Sequence, residues 1–394
     1  MNKYILYVFS SLFFISFEQA DAQVTLSNGE HVLEISGRLS TYYNERNLKP
    51  TNNNRNKDRF RLRDAQVQFE GRIRDEWAYE LQVDFVDLAV AGTGEIDPEN
   101  PGLMDAWVKY KGLDFMDIQV GYGKLPYSRN SLVPFFASPY WQRAQLTRGE
   151  FFSRRDAGIT LSTSTWKQRI KLYAGAYTGL GEFSLRGDND ATGNLEYVTR
   201  AELAFPSRYR YRDIDYFVSP VPMFVVGANA RYSDRRLPEG RNFPEDLGGR
   251  YGLRAIDGER YIYGFDVAFQ YMGFSAQFEA HQMLAKPQSP LDPNFLGFTP
   301  EQTDGKFYAG GYIAQANYFW KKAKSIFSVR YEEFNINDLA QGKSQRFSPA
   351  LAYQFNGFDA MVKFQYFYII SEEEVLDPMR WTEQWRVGFT LNFN

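Results

Sequence analysis

Between Lys124 and Arg155 the chain collects six cations, Lys124, Arg129, Arg143, Arg148, Arg154 and Arg155, with Glu150 the one acid among them. Arginine's planar guanidinium donates two parallel hydrogen bonds to a phosphate or carboxylate and stays charged at any physiological pH. Placed along a water-filled passage, such groups raise the local concentration of anions and set selectivity. A second set of cations recurs at alternating positions within apolar stretches: Arg38, Arg72, Arg74, Lys109, Arg169, Lys171, Arg200, Arg231, Arg330, Lys363 and Arg386. Acids share that face at Glu80, Asp84, Glu202, Asp266 and Glu279. Pairing across neighbouring strands is therefore the ordinary role for most of this second set, with Arg72 and Arg74 set against Glu80 and Asp84. The cations between 124 and 155 outnumber their local acid, so they are the candidates for facing a passage.

Other chemistries lack their residues. The chain has no cysteine, which excludes thiolate catalysis and disulfides. Its two histidines, His31 and His281, read as strand ends with no accompanying Ser or Asp motif. No G-x-S-x-G, H-E-x-x-H or phosphate-binding glycine loop occurs, so neither an enzyme nor a metal or cofactor site is expected. The balance of 45 basic and 48 acidic residues gives a net charge of −3 and no basic domain for nucleic acid.

The elements that carry these residues are strands. At 31–43 Leu33, Ile35, Leu39 and Tyr43 share one face, while Glu34, Ser36, Arg38 and Ser40 share the other. At 61–74 the outer set is Ala65, Val67, Phe69, Gly71 and Ile73, and at 77–85 it is Trp77, Tyr79, Leu81, Val83 and Phe85. At 261–271 every second residue is apolar, with Gly264, Asp266, Ala268 and Gln270 opposite. About sixteen such segments of about ten residues each can be counted, the length that crosses a bilayer at barrel tilt. Short turns, such as 112–114 and 356–357, alternate with long polar connections, such as 89–101, 235–259 and 285–305. Aromatics reach 17%, with 27 Tyr and 34 Phe, while mean hydropathy is only −0.47. That combination suits strands that alternate between two solvents; helical spans need about 20 uninterrupted apolar residues. A soluble β-sandwich is the other architecture with alternating strands, and its strands are usually shorter. The connection at 125–154 is too long and too aromatic for a turn or a disordered linker, and reads as a loop folded inward. Its Phe135, Phe136, Tyr140 and Trp141 read as packing against the inner wall. The N-terminus carries Lys3, an apolar run over 4–17 and Ala20-Asp21-Ala22, the pattern of a cleaved secretory signal over 1–22. No composition break divides 23–394 into further domains.

Several pieces in order resemble the phosphate-selective porin O and P family of Gram-negative outer-membrane porins. They are FRLRDA (60–65) running into FEG (69–71), WAYELQVDF (77–85), LMDAWVKY (103–110), VGYGKLPYS (120–128) and RDAGI (155–159). The resemblance is densest over 61–178. It implies an all-β fold, a transmembrane antiparallel barrel of sixteen strands, usually a homotrimer, with 125–154 as an inward constriction loop. It also implies residence among outer-membrane lipid, and cations on the wall and loop that guide small anionic solutes such as phosphate. A passive channel is the expectation. A barrel that is plugged by its loop and serves as a scaffold or secretion component is the alternative.

Overall fold

The structure, a computed structural model, describes residues 24–48, 58–86, 102–147, 151–179, 181, 192–236, 253, 256–371 and 381–393. The signal-like residues 1–22 and Arg148 lie outside the described residues. Among the described residues seventeen strands follow one another. The first six are β1 (Val24–Ser27), β2 (His31–Leu48), β3 (Arg59–Ile73), β4 (Trp77–Asp84), β5 (Leu103–Leu113) and β6 (Met116–Lys124). Then come β7 (Arg155–Thr165), β8 (Ile170–Tyr177), β9 (Glu196–Phe205), β10 (Met223–Arg235), β11 (Gly258–Tyr271) and β12 (Phe274–Pro287). The last are β13 (Phe307–Trp320), β14 (Ser325–Asn335), β15 (Ser344–Asn356), β16 (Ala360–Ser371) and β17 (Trp381–Phe393).

From β2 to β17 each strand pairs antiparallel with the next, and β17 returns to β2, closing a barrel of sixteen strands. Closure satisfies every ladder without leaving an edge, as a hydrocarbon environment demands. The seam is finished by the chain's start. β17 runs out at Phe393 opposite Gly37, and β1 takes up the freed edge of β2 from Ile35 to Val32.

Side-chain alternation sorts the two solvents. In β10 Phe224, Val226, Ala228 and Ala230 are exposed on the outside, while Val225, Asn229, Arg231 and Ser233 are buried within. Tyr263, Phe265, Leu351 and Phe364 are likewise exposed on the outer face. Transferring such side chains into lipid is worth about 1.5–3 kcal/mol each. One end of the barrel carries tight connections at 74–76, 114–115, 166–169, 272–273, 321–324 and 357–359. At 272–273 both Met272 (φ 49°) and Gly273 (φ 87°) are left-handed, the two-residue hairpin turn whose twist matches its strands. A Cβ on Gly273 would stand 2.7 Å from the Phe319 carbonyl oxygen, so glycine is required there. The connection 206–222 is the long one at this end.

The inner face departs from simple alternation. Val198, Ile262, Met283, Ile313 and Phe334 point inward yet are apolar, and they form a cluster with Leu125, Tyr127, Leu146, Phe151 and Phe152. An apolar core inside a barrel requires cover, and residues of 125–147 and 151–152 supply it together with Leu253, Ile256, Phe295 and Ile336 from other connections.

Candidate functional site

The segment after β6 is fixed to the wall at its start, middle and end. Ser128 caps a short helical turn, Arg129–Leu132, by accepting from the Ser131 N–H at 3.0 Å. Arg129 Nε donates to Asp266 Oδ1 at 2.6 Å and its Nη2 to Glu202 Oε1 at 3.2 Å. Arg200 lies between the same acids, 2.8 Å from Glu202 and 2.7 Å from Asp266. Two cations and two anions thus neutralise one another in a buried quartet. The next residue, Asn130, donates its N–H to Glu279 Oε2 at 2.8 Å. Glu279 Oε1 in turn meets His281 Nε2 at 2.6 Å, and His281 Nδ1 meets the Tyr127 hydroxyl at 2.9 Å.

Across the lumen, Trp141 is fully buried. Its Nε1 donates to the Lys363 carbonyl at 3.1 Å and its backbone N–H to Gln365 Oε1 at 2.6 Å. Arg330 covers the Tyr140 ring at 3.7 Å and donates to the Gln142 carbonyl at 2.8 Å. Gln145 N–H reaches Glu332 Oε2 at 2.8 Å. Near the exit, Arg231 donates to the Ser153 carbonyl at 2.9 Å and is bound by Glu196 at 2.7 Å. Arg155 closes on Asp105 at 2.9 Å.

Between this segment and the β2–β6 side of the barrel lies a cavity of about 200 Å³. Its basic lining is Arg38, Arg63, Lys124, Arg143, Arg154 and Arg155; its acids are Asp64 and Glu80. The loop contributes Phe135 and Phe136, and cations seat themselves on these rings. Arg63 lies 4.2 Å from the Phe135 centroid, Arg143 5.4 Å and Lys363 5.7 Å, while Arg38 stands 5.3 Å from Phe136. Asp64 is 3.6 Å from Arg63. Arg38 Nε donates to the neutral Asn392 Oδ1 at 2.9 Å. Arg38, Lys124 and Lys363 make no ion pair among the described residues. A ring face attracts a cation without pairing its charge, so Arg38 and Lys363 meet rings and an amide where a carboxylate would pair them.

The other cations read from the sequence divide by register. Arg200 and Arg231 are buried and acid-paired. Arg330 is held by neutral groups, with Gln315 Oε1 at 3.0 Å from its Nε. Arg386 packs over Tyr42 at 4.9 Å. Lys109 covers Trp107 at 5.3 Å. Lys171 covers Tyr211 at 5.2 Å. Two belong to turns rather than the lumen wall: Arg169, over Trp166 at 4.8 Å, and Arg74. The expected pairing of Arg72 and Arg74 with Glu80 and Asp84 does not form. Arg72 stands opposite Ala78, Asp84 opposite Gln66, and Arg74 turns out to meet Glu30 at 3.2 Å in the exposed β1–β2 hairpin. Nor do all the loop cations stay clear of acids, since Arg129 and Arg155 draw on wall carboxylates. His281 is in the body of β12, not at a strand end, and is buried in the lumen.

Arg63 was not among the expected lumen cations, because strict alternation with Ala65 and Val67 turns it outward. A bulge between Ser40 and Thr41 pairs Ser40 with Asp64 and Thr41 with Leu62, leaving Arg63 as the extra residue and turning it in. Nothing in the residue types announces that bulge. The apolar pair Phe135–Phe136 was visible, but its service as a cation seat depends on which wall it meets.

Comparison with known proteins places this geometry. The sequence matches the phosphate-selective porin O and P family over residues 33–375. Among solved structures it is similar to the anion-selective porin of Comamonas acidovorans, with 11% identity and a TM-score of 0.56 over 92% of this chain and 100% of that one. It is similar too to Salmonella typhi OmpF in complex with daunomycin, with 15% identity and a TM-score of 0.57 over 94% of this chain and 100% of that one. The outer-membrane channel DcaP of Acinetobacter baumannii matches with 10% identity and a TM-score of 0.54, over 93% of this chain and 99% of that one. At these identities the likeness is one of fold. A search of the curated proteins returned no match.

Proposed function

Because the chain belongs to the phosphate-selective porin O and P family, and so is an outer-membrane channel for small solutes, we propose that its passage prefers small anions. The observation that carries this reading is the cluster around Phe135 and Phe136, where Arg38 and Lys363 are held by rings and an amide instead of carboxylates. Charge seated this way is not cancelled locally, and low-dielectric walls focus it on the passage. Lys124 lines the same cavity and makes no ion pair among the described residues. The lining acid Asp64 is engaged by Arg63, which leaves Glu80 as the opposing carboxylate.

On this reading 125–154 is the constriction loop, and its arginines divide the work. Arg129 and Arg155 anchor the loop to wall acids, while Arg143 and Arg154 line the opening. Solutes pass down their gradients, and phosphate or a similar oxyanion is attracted by guanidinium donors. Residues 1–22 serve as the export signal into a Gram-negative envelope, and the barrel assembles as a homotrimer. The test is titration of phosphate into a chloride current through the reconstituted protein. Concentration-dependent block is the expected result; a chloride current indifferent to phosphate removes the oxyanion preference.

A further inference from the structure

The connection 206–222 joins β9 to β10 at the tight-turn end, which faces the periplasm in outer-membrane barrels. Other connections at that end are two to four residues long. This one folds back into the lumen. Asp213 is buried there: its carbonyl accepts from Ser275 Oγ at 2.7 Å and Asn317 Nδ2 at 2.8 Å, and its Oδ1 accepts from Gln315 Nε2 at 2.7 Å. All three donors are inward side chains of β12 and β13. Ile214 is buried with Phe319, Ile326 and Ala352, which are inward residues of β13, β14 and β15. Tyr209 is buried with Ala204, Val225 and Ala268 from β9, β10 and β11. The segment's return is tied off by Asp215, whose carboxylate accepts from the Ser219 N–H at 2.8 Å and the Gly273 N–H at 2.9 Å.

The segment also meets the constriction loop. The Arg129 guanidinium lies over Tyr209 at 5.3 Å and Tyr211 at 5.0 Å, and the Tyr211 hydroxyl donates to Glu202, the acid that holds Arg129. Asn317 accepts from the Tyr140 hydroxyl at 3.4 Å while donating to Asp213. Gln315 donates to Asp213 and accepts from Arg330, which grips the Gln142 carbonyl. Apolar residues on the inner face at Ala204, Val225, Ile326 and Ala352 would otherwise meet water. Their presence there is explained by a permanent cover.

We propose that 206–222 is a second constriction element, entering from the periplasmic mouth, filling the lumen beside β9–β15 and bracing the constriction loop. Solute is thereby confined to the β2–β6 side. The proposal rests on the channel reading, and its test separates the two. In the full-length chain, residues 207–221 are replaced by Gly-Ser-Gly and single-channel conductance is compared with that of the unaltered protein. Conductance should rise by roughly twofold or more, because current scales with open cross-section. Equal conductance overturns the proposal. If the unaltered protein is silent, the channel reading fails; a conducting variant would still establish the segment as a plug, and a silent one would overturn the proposal as well.

Should the replacement fail to fold, accessibility decides. The chain has no cysteine, so Ile214→Cys and Phe217→Cys each give a single reporter. Phe217 is 62% exposed and Ile214 2% exposed. A charged maleimide should label Phe217→Cys at least about tenfold faster, since reactivity follows access. Equal rates would mean that the segment hangs outside the lumen, which overturns the proposal.

Discussion

Arg129 and Arg38 show how the same residue type takes opposite roles. Arg129 lies between Asp266 and Glu202, all buried, so its charge is spent on holding the loop. Arg129→Ala leaves two carboxylates sharing Arg200, and removing one partner from a buried ion cluster costs about 3–5 kcal/mol. Denaturant unfolding followed by the loss of barrel mobility on gels should register that loss. Arg38 contacts Asn392 and the Phe136 ring, both neutral, so Arg38→Gln strands no acid. The expected stability change is about 1 kcal/mol or less, with a clear loss of anion preference in the reversal potential. A large destabilisation without a selectivity change would reverse the roles assigned here. This division was not legible from the sequence. Cations and acids could be put on one face, but the register that sets Arg72 against Ala78 and Arg74 beside Glu30 is fixed by the geometry of the turns at 74–76 and 28–30. The bulge that turns Arg63 inward is likewise invisible to alternation.

Among the elements, the length, aromatics and missing period of 125–154 point in the sequence to an inserted loop, and residues such as Trp141 and Gln145 meet inward side chains of the wall. Those attachment points were less legible. Trp141 donates from both its indole and its backbone and is fully buried, so Trp141→Ala should cost about 3–5 kcal/mol. Limited proteolysis within 133–147 should accelerate in that variant, and unchanged cleavage would deny the tryptophan its anchoring role. The segment 206–222 escaped the sequence reading altogether. Its end of the barrel was expected to hold only tight turns, and its alternating Arg208-Tyr209-Arg210-Tyr211-Arg212 resembles the end of a strand. A usable signal did exist: inward positions such as Val225, Ile326 and Ala352 are apolar, which a water-filled lumen does not explain. Apolar residues on both faces of a barrel strand point to a segment packed inside.

At the scale of the whole molecule, period-two patterning carried the fold. Each strand offers lipid an apolar outer face and the lumen a mixed inner one, and a closed ring of sixteen is what that pattern permits without an edge. Leu351 lies on the outer face of β15, 44% exposed. Leu351→Arg should therefore destabilise the folded barrel by about 2–4 kcal/mol in bilayers, measured by reversible unfolding into denaturant, whereas Leu351→Phe should be near neutral. Equal tolerance of both would contradict a lipid-facing position. On the proposed reading, cations without carboxylate partners around Phe135–Phe136 govern what passes. The reversal potential across a KCl gradient, recorded for the unaltered protein and for a variant combining Arg38→Gln, Lys124→Gln and Lys363→Met, tests that most directly. The expected result is an anion-selective potential that falls towards zero in the variant. A cation-selective or neutral potential in the open unaltered channel, or an undiminished one in the variant, would contradict it.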